Sequence, residues 1–176
     1  MAISTASTAD LGARELAEVR RLLDEAFEGD LTDEDWAHAL GGVHAVARDA
    51  GLIVGHASVV ARTLWVAGTP TRCGYVEAVA VGADWRGEGI GARLMDPIED
   101  VIRERFAIGG LSATDEALGF YRRRGWREWE GPTFVEAPEG RRRTPDDDGS
   151  VMVLPVAEDL DVAGEIACDW RDGDVW

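Results

Sequence analysis

The alternation of apolar and polar residues divides the chain into helical and extended segments. Residues 11–27 (LGARELAEVRRLLDEAF) carry apolar side chains at helical spacing, which predicts an amphipathic helix that ends near Gly29. Thr32 followed by Asp35 has the spacing of a capping box and predicts a short second helix through Leu40. The apolar face predicted for the first helix consists of Leu16, Val19, Leu22, Leu23, Ala26 and Phe27.

The sequence that follows is rich in Val, Ile and Ala and is broken by turn residues, a pattern typical of strands. The predicted strands are His44–Arg48, Gly51–Arg62, Leu64–Ala67, Cys73–Val81, Ile108–Ser112, Thr133–Glu136 and Val151–Leu154. Helices are predicted over Gly89–Phe106 and Thr114–Arg124, and the charged segment 139–149 is predicted to be a loop. This order indicates an α+β (mixed α/β) fold, and we expect residues 1–176 to form a single domain.

Composition and charge narrow the classes of function. The chain has 176 residues, 45% of them hydrophobic, and no apolar run approaches the roughly 20 residues that span a bilayer. The N-terminus lacks a secretory signal pattern, so we expect a cytoplasmic protein that does not enter the membrane. The net charge of −16 disfavours nucleic acids and anionic membranes and favours cationic partners. We expect no metal site, because the histidines lack metal-ligand spacing and Cys73 and Cys168 indicate reduced core thiols.

A glycine-rich segment joins the apolar strand that ends at Val81 to the helix predicted after it. The segment reads Arg86-Gly87-Glu88-Gly89-Ile90-Gly91. Glycines let main-chain N–H groups approach an anion closely, and the helix N-terminus adds a favourable dipole, so phosphate or pyrophosphate is the expected ligand. The spacing fits neither the dinucleotide-binding fingerprint nor a Walker P-loop. A tight turn between strand and helix without a ligand remains an alternative.

This Arg-x-x-Gly-x-Gly loop and the later segment Phe120-Tyr121-x-x-x-Gly125-Trp126 resemble the acetyl-CoA site of the GNAT N-acetyltransferase superfamily. The resemblance implies a central, mostly antiparallel, splayed sheet flanked by helices, with acetyl-CoA as the cosubstrate. It implies that the strand binds acetyl-CoA through Ala78, Val79 and Val81, and that the pyrophosphate is bound by Arg86, Gly87, Gly89, Gly91 and Ala92.

A closer resemblance extends over nearly the whole chain. The segments 29–36, 72–77, 144–148 and 168–176 are similar to the aminoglycoside 2′-N-acetyltransferases of actinobacteria. The resemblance implies direct acetylation of the 2′-amino group of aminoglycoside antibiotics in a ternary complex, antibiotic resistance as the outcome, and a homodimer. The substrate-binding residues that it implies are Asp30, Asp35, Glu77, Ser112, Asp147, Asp174 and Trp176, the last through its terminal carboxylate and its indole face.

Two residues are candidates for the chemistry of acetyl transfer. The attacking amine must be neutral, and Glu77, the one charged residue of its apolar strand, is the candidate general base, either directly or through a water molecule. Tyr121 is the candidate general acid that protonates the departing thiolate. Two other functions stay open: acetylation of a different cationic amine, such as a cell-wall precursor, a polyamine or a protein N-terminus, and acetyl-CoA binding without turnover.

Overall fold

The structure is a computed structural model that describes residues 1–156 and 160–176. Its α-helices are α1 (Ala13–Ala26), α2 (Asp33–His38), α3 (Ile90–Arg105) and α4 (Asp115–Arg122). Its strands are β1 (Ala2–Ser7), β2 (Val43–Asp49), β3 (Leu52–Val66), β4 (Thr69–Val81), β5 (Ile108–Ser112), β6 (Arg127–Glu128), β7 (Thr133–Ala137), β8 (Gly140–Arg143), β9 (Val151–Pro155) and β10 (Ile166–Asp169). Both kinds of element alternate along the chain, which confirms the mixed α/β class.

The described residues group into two compact units. The first unit comprises Met1–Val60 and Val76–Val101, and the second comprises Ala61–Tyr75 and Ile102–Trp176. Strands β3 and β4 and helix α3 therefore contribute residues to both units. The expectation of a single domain over residues 1–176 stays a prediction.

In the first unit, β2 pairs antiparallel with β1 and with β3. The apolar face of α1 packs against this sheet, which confirms most of the face predicted from the sequence. The buried cluster comprises Val19, Leu22 and Leu23 of the helix together with Val46, Ile53 and Ala80 of the strands. Phe27 differs from the prediction, because α1 ends at Ala26 and the phenyl group stays 40% exposed.

In the second unit, the strand order is β6-β9-β5-β4-β3-β10-β7-β8. The β5–β9, β6–β9, β3–β10 and β7–β8 pairs are antiparallel, whereas β4–β5 and β7–β10 are parallel. The β4–β5 ladder joins Cys73–Tyr75 to Ile108–Gly110 and ends there. This is the mostly antiparallel arrangement expected from the sequence.

One predicted strand break is wrong. The sequence predicted two strands on either side of Thr63, but β3 continues from Leu52 to Val66. Arg62 is tolerated inside the strand because its guanidinium donates from Nε to Asp169 Oδ1 at 2.8 Å and from Nη2 to the Val175 oxygen at 2.8 Å. A polar residue with buried partners therefore does not end a strand.

The predicted loop over 139–149 is also wrong in its first part. Residues Gly140–Arg143 form β8, which pairs antiparallel with β7 in the register Glu136–Arg141. Charge pairing supports the hairpin, because Arg141 Nε lies 3.6 Å from Glu136 Oε1 and its guanidinium lies 4.6 Å from the centre of the Phe134 ring. A basic edge strand of this kind has no apolar alternation by which the sequence could reveal it.

Strands β1, β6 and β10 were not predicted. Strand β1 consists of small and polar residues, and β6 and β10 have only two and four residues. Short strands of this composition are set by tertiary pairing rather than by local propensity. Each is positioned by the strands with which it pairs: β1 by β2, β6 by β9, and β10 by β3 and β7.

Candidate active site

Strand β4 has an irregular main chain at the candidate base. Ala78 adopts φ +51°, a left-handed conformation that costs a non-glycine residue about 1–2 kcal/mol. Side chains of β3 hold the two carbonyl groups at this point: His56 Nδ1 lies 2.8 Å from Ala78 O, and Ser58 Oγ donates to Glu77 O at 3.2 Å. Glu77, Ala78 and Val79 are all half-buried. This part of β4 therefore departs from regular strand geometry and is held by side chains of β3.

The glycine-rich loop follows β4 after a short 3₁₀ turn over Ala83–Trp85. Gly87 and Gly89 have φ values of +84° and +74°, which L residues with a side chain rarely adopt. Arg86 donates from Nε to the Val81 carbonyl at 3.2 Å, so its side chain is held beside the end of the strand. The loop is exposed, and its backbone conformation is one that glycine permits.

Helix α3 begins directly after the loop. Its first helical hydrogen bond runs from Arg93 N to Gly89 O at 3.2 Å, and Ile90 is buried. The first N–H groups of an α-helix have no partner within the helix, and the helix dipole places partial positive charge there. The chain at Gly89, Gly91 and Ala92 thus has the features that suit a pyrophosphate group.

The acidic residues of the α1–α2 connection lie in the first unit. Asp30 is exposed, and its N–H donates to Phe27 O at 2.9 Å. Asp35 has the predicted capping role: its Oδ2 accepts from Thr32 N at 3.0 Å, while its N–H donates to Thr32 Oγ1 at 3.1 Å. The carboxylate of Asp35 therefore stabilises α2 in addition to any contact with a substrate.

Four of the candidate substrate residues are connected within the second unit. Ser112 Oγ donates to Ser150 Oγ at 3.1 Å, and Ser150 Oγ donates to Asp147 O at 2.9 Å. Burial raises the pKa of Asp147, and the charge of Asp174 raises it further. We call Ser112, Asp147, Asp174 and Trp176 the acidic cluster. The negative charge that raises the pKa of Asp147 is a favourable environment for ammonium groups.

The segment that follows β10 is held by two arginines that the sequence analysis missed. Arg62 bonds Asp169 and Val175, as described above, and Arg171 donates from Nε to Asp174 O at 2.7 Å and from Nη2 to Trp176 O at 2.9 Å. The Trp176 side chain is 3% exposed. An arginine inside an apolar strand was the sequence signal for this anchor, because a buried guanidinium requires acceptors.

A tryptophan–threonine contact ties the same segment to the β8–β9 connection. Trp176 Nε1 donates to Thr144 Oγ1 at 3.0 Å. Arg143 donates from Nη1 to Asp148 Oδ1 at 2.9 Å, and this bond lowers the pKa of Asp148 to about 2. The residues on both sides of Asp147 are therefore fixed by side-chain contacts, of which the sequence alone gave no sign.

Tyr121 and the two cysteines are buried in the second unit. The ring of Tyr121 packs edge-to-face against Phe120 and Trp126, with centroid distances of 5.0 and 5.9 Å. Burial raises the pKa of Cys168 to about 12 and raises that of Cys73 as well. Both thiols are therefore protonated at neutral pH, which makes them poor nucleophiles.

Residues 1–156 and 160–176 lack two features. No helix there is long and apolar enough to cross a membrane. No group of three or more His, Cys, Asp or Glu side chains is arranged to hold a metal ion.

The fold and the glycine loop define an acetyltransferase. Residues 13–126 match the acetyltransferase (GNAT) family, and the chain belongs to that family. It is 51% identical over 173 residues to an aminoglycoside 2′-N-acetyltransferase of Mycolicibacterium fortuitum, with 96% of this chain and 89% of that relative covered.

Solved structures of the family share the fold. A GNAT-family N-acetyltransferase of Escherichia coli in complex with CoA has a TM-score of 0.65 and 19% identity, covering 95% of this chain and 88% of that chain. A GNAT-family acetyltransferase of Brucella melitensis in complex with acetyl-CoA has a TM-score of 0.63 and 18% identity, with 97% of each chain covered. The GNAT fold expected from the sequence is thereby confirmed.

Proposed function

We propose that this protein transfers the acetyl group of acetyl-CoA to the 2′-amino group of aminoglycosides. The observation that carries the proposal is the 51% identity to an aminoglycoside 2′-N-acetyltransferase along 96% of the chain. The match covers 96% of the chain, whereas the family model covers residues 13–126, so the similarity extends beyond the general family region.

The cosubstrate site uses the end of β4 and the start of α3. The main chain of Ala78, Val79 and Val81 lies along the pantetheine arm, and the pyrophosphate is bound by Arg86, Gly87, Gly89, Gly91 and Ala92. The positive φ values of Gly87 and Gly89 and the N-terminus of α3 support this assignment. When bound, acetyl-CoA supplies the activated thioester carbonyl.

Glu77 and Tyr121 move the protons in this proposal. Glu77 removes a proton from the 2′-ammonium group, directly or through one water molecule, so that the nitrogen gains the lone pair needed for attack. The new C–N bond forms as the C–S bond breaks. Tyr121 donates a proton to the thiolate, and the acylated nitrogen loses its second proton to solvent. The buried, protonated state of both cysteines supports direct transfer in a ternary complex rather than transfer through a cysteine.

The acceptor is bound through its charges. Asp147 and Asp174 attract ammonium groups, and Ser112 adds a hydroxyl group. The indole of Trp176 is buried and bonded to Thr144, so Trp176 contributes its terminal carboxylate and not its indole face. Asp30 and Asp35 are two further carboxylates that we assign to contacts with the amines and hydroxyl groups of the acceptor. A carboxylate–ammonium pair at about 4 Å gives roughly 4 kcal/mol at an effective dielectric constant near 20, so several pairs are needed for micromolar affinity.

The biological setting completes the proposal. Acetylation of a ring amine removes a positive charge that an aminoglycoside uses to bind its target, so the reaction confers resistance. We place the enzyme in the cytoplasm, where acetyl-CoA is available, and we expect a homodimer without a metal cofactor.

A matched pair of antibiotics tests the proposal. Kanamycin B carries an amine at C2′, whereas kanamycin A carries a hydroxyl group at the same position. We expect mass spectrometry to detect one added acetyl group on kanamycin B, located at N2′ by fragmentation, and none on kanamycin A. Acetylation of both compounds would mean that the enzyme acetylates a nitrogen other than N2′. Thiol release with a polyamine or a peptide amine, but with neither antibiotic, would favour a different cationic acceptor.

A further inference from the structure

A chain of polar contacts runs through two buried histidines of the first unit and ends at the main chain beside Glu77. Gly41 N donates to Thr8 Oγ1 at 2.8 Å, and Thr8 Oγ1 lies 2.7 Å from His44 Nε2. His44 Nδ1 lies 2.9 Å from His56 Nε2, and His56 Nδ1 lies 2.8 Å from Ala78 O. Both histidines are fully buried. We call this series of contacts the histidine relay.

The hydrogen-bond partners determine which ring nitrogen of each histidine carries the proton. A carbonyl oxygen only accepts, so His56 must carry its proton on Nδ1 and donate it to Ala78 O. Burial lowers the pKa of His56 to about 4, so the ring is neutral and its Nε2 accepts from His44 Nδ1. Burial also lowers the pKa of His44, which disfavours its charged form. Since the Nδ1 proton of His44 is donated to His56, its Nε2 accepts the hydroxyl proton of Thr8.

The relay ends at the point where β4 is strained. Ala78 adopts the left-handed conformation, which turns its peptide group out of regular strand geometry. The carbonyl of this half-buried residue needs another donor, and the imidazole of His56 supplies one. Ser58, two residues further along β3, donates to the preceding carbonyl, that of Glu77. Side chains of one strand thus fix two successive carbonyls of the neighbouring strand.

We propose that His44 and His56 are positioning residues for acetyl transfer, which hold the left-handed turn at Ala78 and thereby set the direction of the Glu77 side chain and of the Val79 main chain. This inference rests on the proposed function of Glu77 as the base. Neither histidine touches the reacting atoms. Ordinary core packing would need neither this order of donors nor contact with the strained carbonyl.

Two substitutions of His56 separate positioning from packing. His56→Asn keeps an N–H donor near the place of Nδ1, whereas His56→Leu keeps the bulk and removes the donor. We expect His56→Leu to lower kcat about 10- to 100-fold, since small displacements of reacting groups have effects of this size, while the Kd of CoA changes less than about 2-fold. We expect His56→Asn to recover most of the lost kcat.

Control variants keep the test decisive if His56→Leu does not fold. Thr8→Val preserves shape at the far end of the relay and removes the hydroxyl group, and we expect kcat to fall about 3- to 10-fold. Ile98→Ala makes a cavity at a buried residue of α3 that makes none of the relay contacts, and we expect lower thermal stability with unchanged kcat. Equal kcat values for wild type, His56→Leu and Thr8→Val would overturn the positioning role.

Nuclear magnetic resonance of the wild type gives a readout that does not depend on turnover. The chain contains three histidines, so long-range ¹H–¹⁵N spectra resolve each ring. We expect His44 and His56 to be neutral at pH 7 with the proton on Nδ1, and a proton on Nε2 of His56 would overturn the relay. A wild type that acetylates no amine would refute the proposed function and the positioning role together. An active wild type whose His56 variants keep full kcat would refute the positioning role alone.

Discussion

At the scale of single residues, the proposed chemistry depends most on Glu77. We expect Glu77→Gln to lower kcat by about 100-fold or more, since general base catalysis contributes about 10²- to 10⁴-fold, with little change in the Kd of CoA. The amide keeps the size of the side chain and cannot take a proton. Steady-state kinetics and calorimetric titration with CoA check this, and Glu34→Gln on the exposed surface of α2 is the control. Near-normal turnover of Glu77→Gln at neutral pH would remove Glu77 from the role of base.

Asp147 should show a trade-off between stability and binding. Burial and the nearby Asp174 raise the pKa of Asp147, so the folded state binds the proton more tightly than the unfolded state does. The contribution of this group to stability is therefore greatest at low pH and is lost as the pH rises through the raised pKa. At neutral pH, Asp147→Asn should raise the melting temperature by about 1 °C and raise the KM for the aminoglycoside several-fold.

Differential scanning calorimetry and kinetics at pH 7 measure the two effects of Asp147→Asn. Asp146→Asn, a change to the exposed neighbouring residue, is the matched control and should leave the KM nearly unchanged. A lower melting temperature for Asp147→Asn, or an unchanged KM, would contradict the assignment of this carboxylate to the acceptor site.

At the scale of elements, the glycine loop and α3 act together. Gly89→Ala places a methyl group on a residue with φ +74°, although the space around it is open, so only the backbone is strained. We expect the loop to shift and the KM for acetyl-CoA to rise about 3- to 10-fold with kcat little changed. Gly12→Ala is the control, because Gly12 has φ −70° and open space around it. An unchanged KM for acetyl-CoA would show that the loop does not hold the pyrophosphate.

The elements also show what the sequence can predict. Helix α3 was predicted over Gly89–Phe106 and is found at Ile90–Arg105. Its residues Ile90, Leu94, Ile98 and Ile102 are buried at helical spacing, because one face of the helix is covered. Strand β8 could not be predicted, since its stability comes from partners elsewhere, such as Glu136 for Arg141. Local pattern predicts elements that bury an apolar face and fails for elements held by polar contacts.

The candidate site also has one part that local sequence predicts and one part that it does not. The glycine loop was predicted because its chemistry is local to a few consecutive residues. The contact of Ser112 with Ser150 joins residues 38 positions apart, and that of Trp176 with Thr144 joins residues 32 positions apart. No spacing rule connects such residues, so only the folded chain reveals their contacts.

At the scale of the whole molecule, the net charge of −16 should steer the two substrates in opposite directions. An aminoglycoside is polycationic and is attracted, whereas acetyl-CoA is anionic and is repelled until its local site binds it. Raising the ionic strength from about 0.01 M to about 0.1 M shortens the screening length from about 30 Å to about 10 Å. Salt should therefore weaken the capture of the antibiotic and leave that of acetyl-CoA unchanged or slightly improved.

The test is the salt dependence of kcat/KM, measured for each substrate with the other one saturating. We expect kcat/KM for the aminoglycoside to fall about 10-fold over that range, and Asp174→Asn to reduce the slope because it removes one carboxylate of the acidic cluster. Glu104→Gln changes the net charge equally at an exposed residue of α3 and should leave a steeper slope than Asp174→Asn does. Equal slopes for the two variants would mean that only total charge matters, and the acidic cluster would then lose its special role in binding the acceptor.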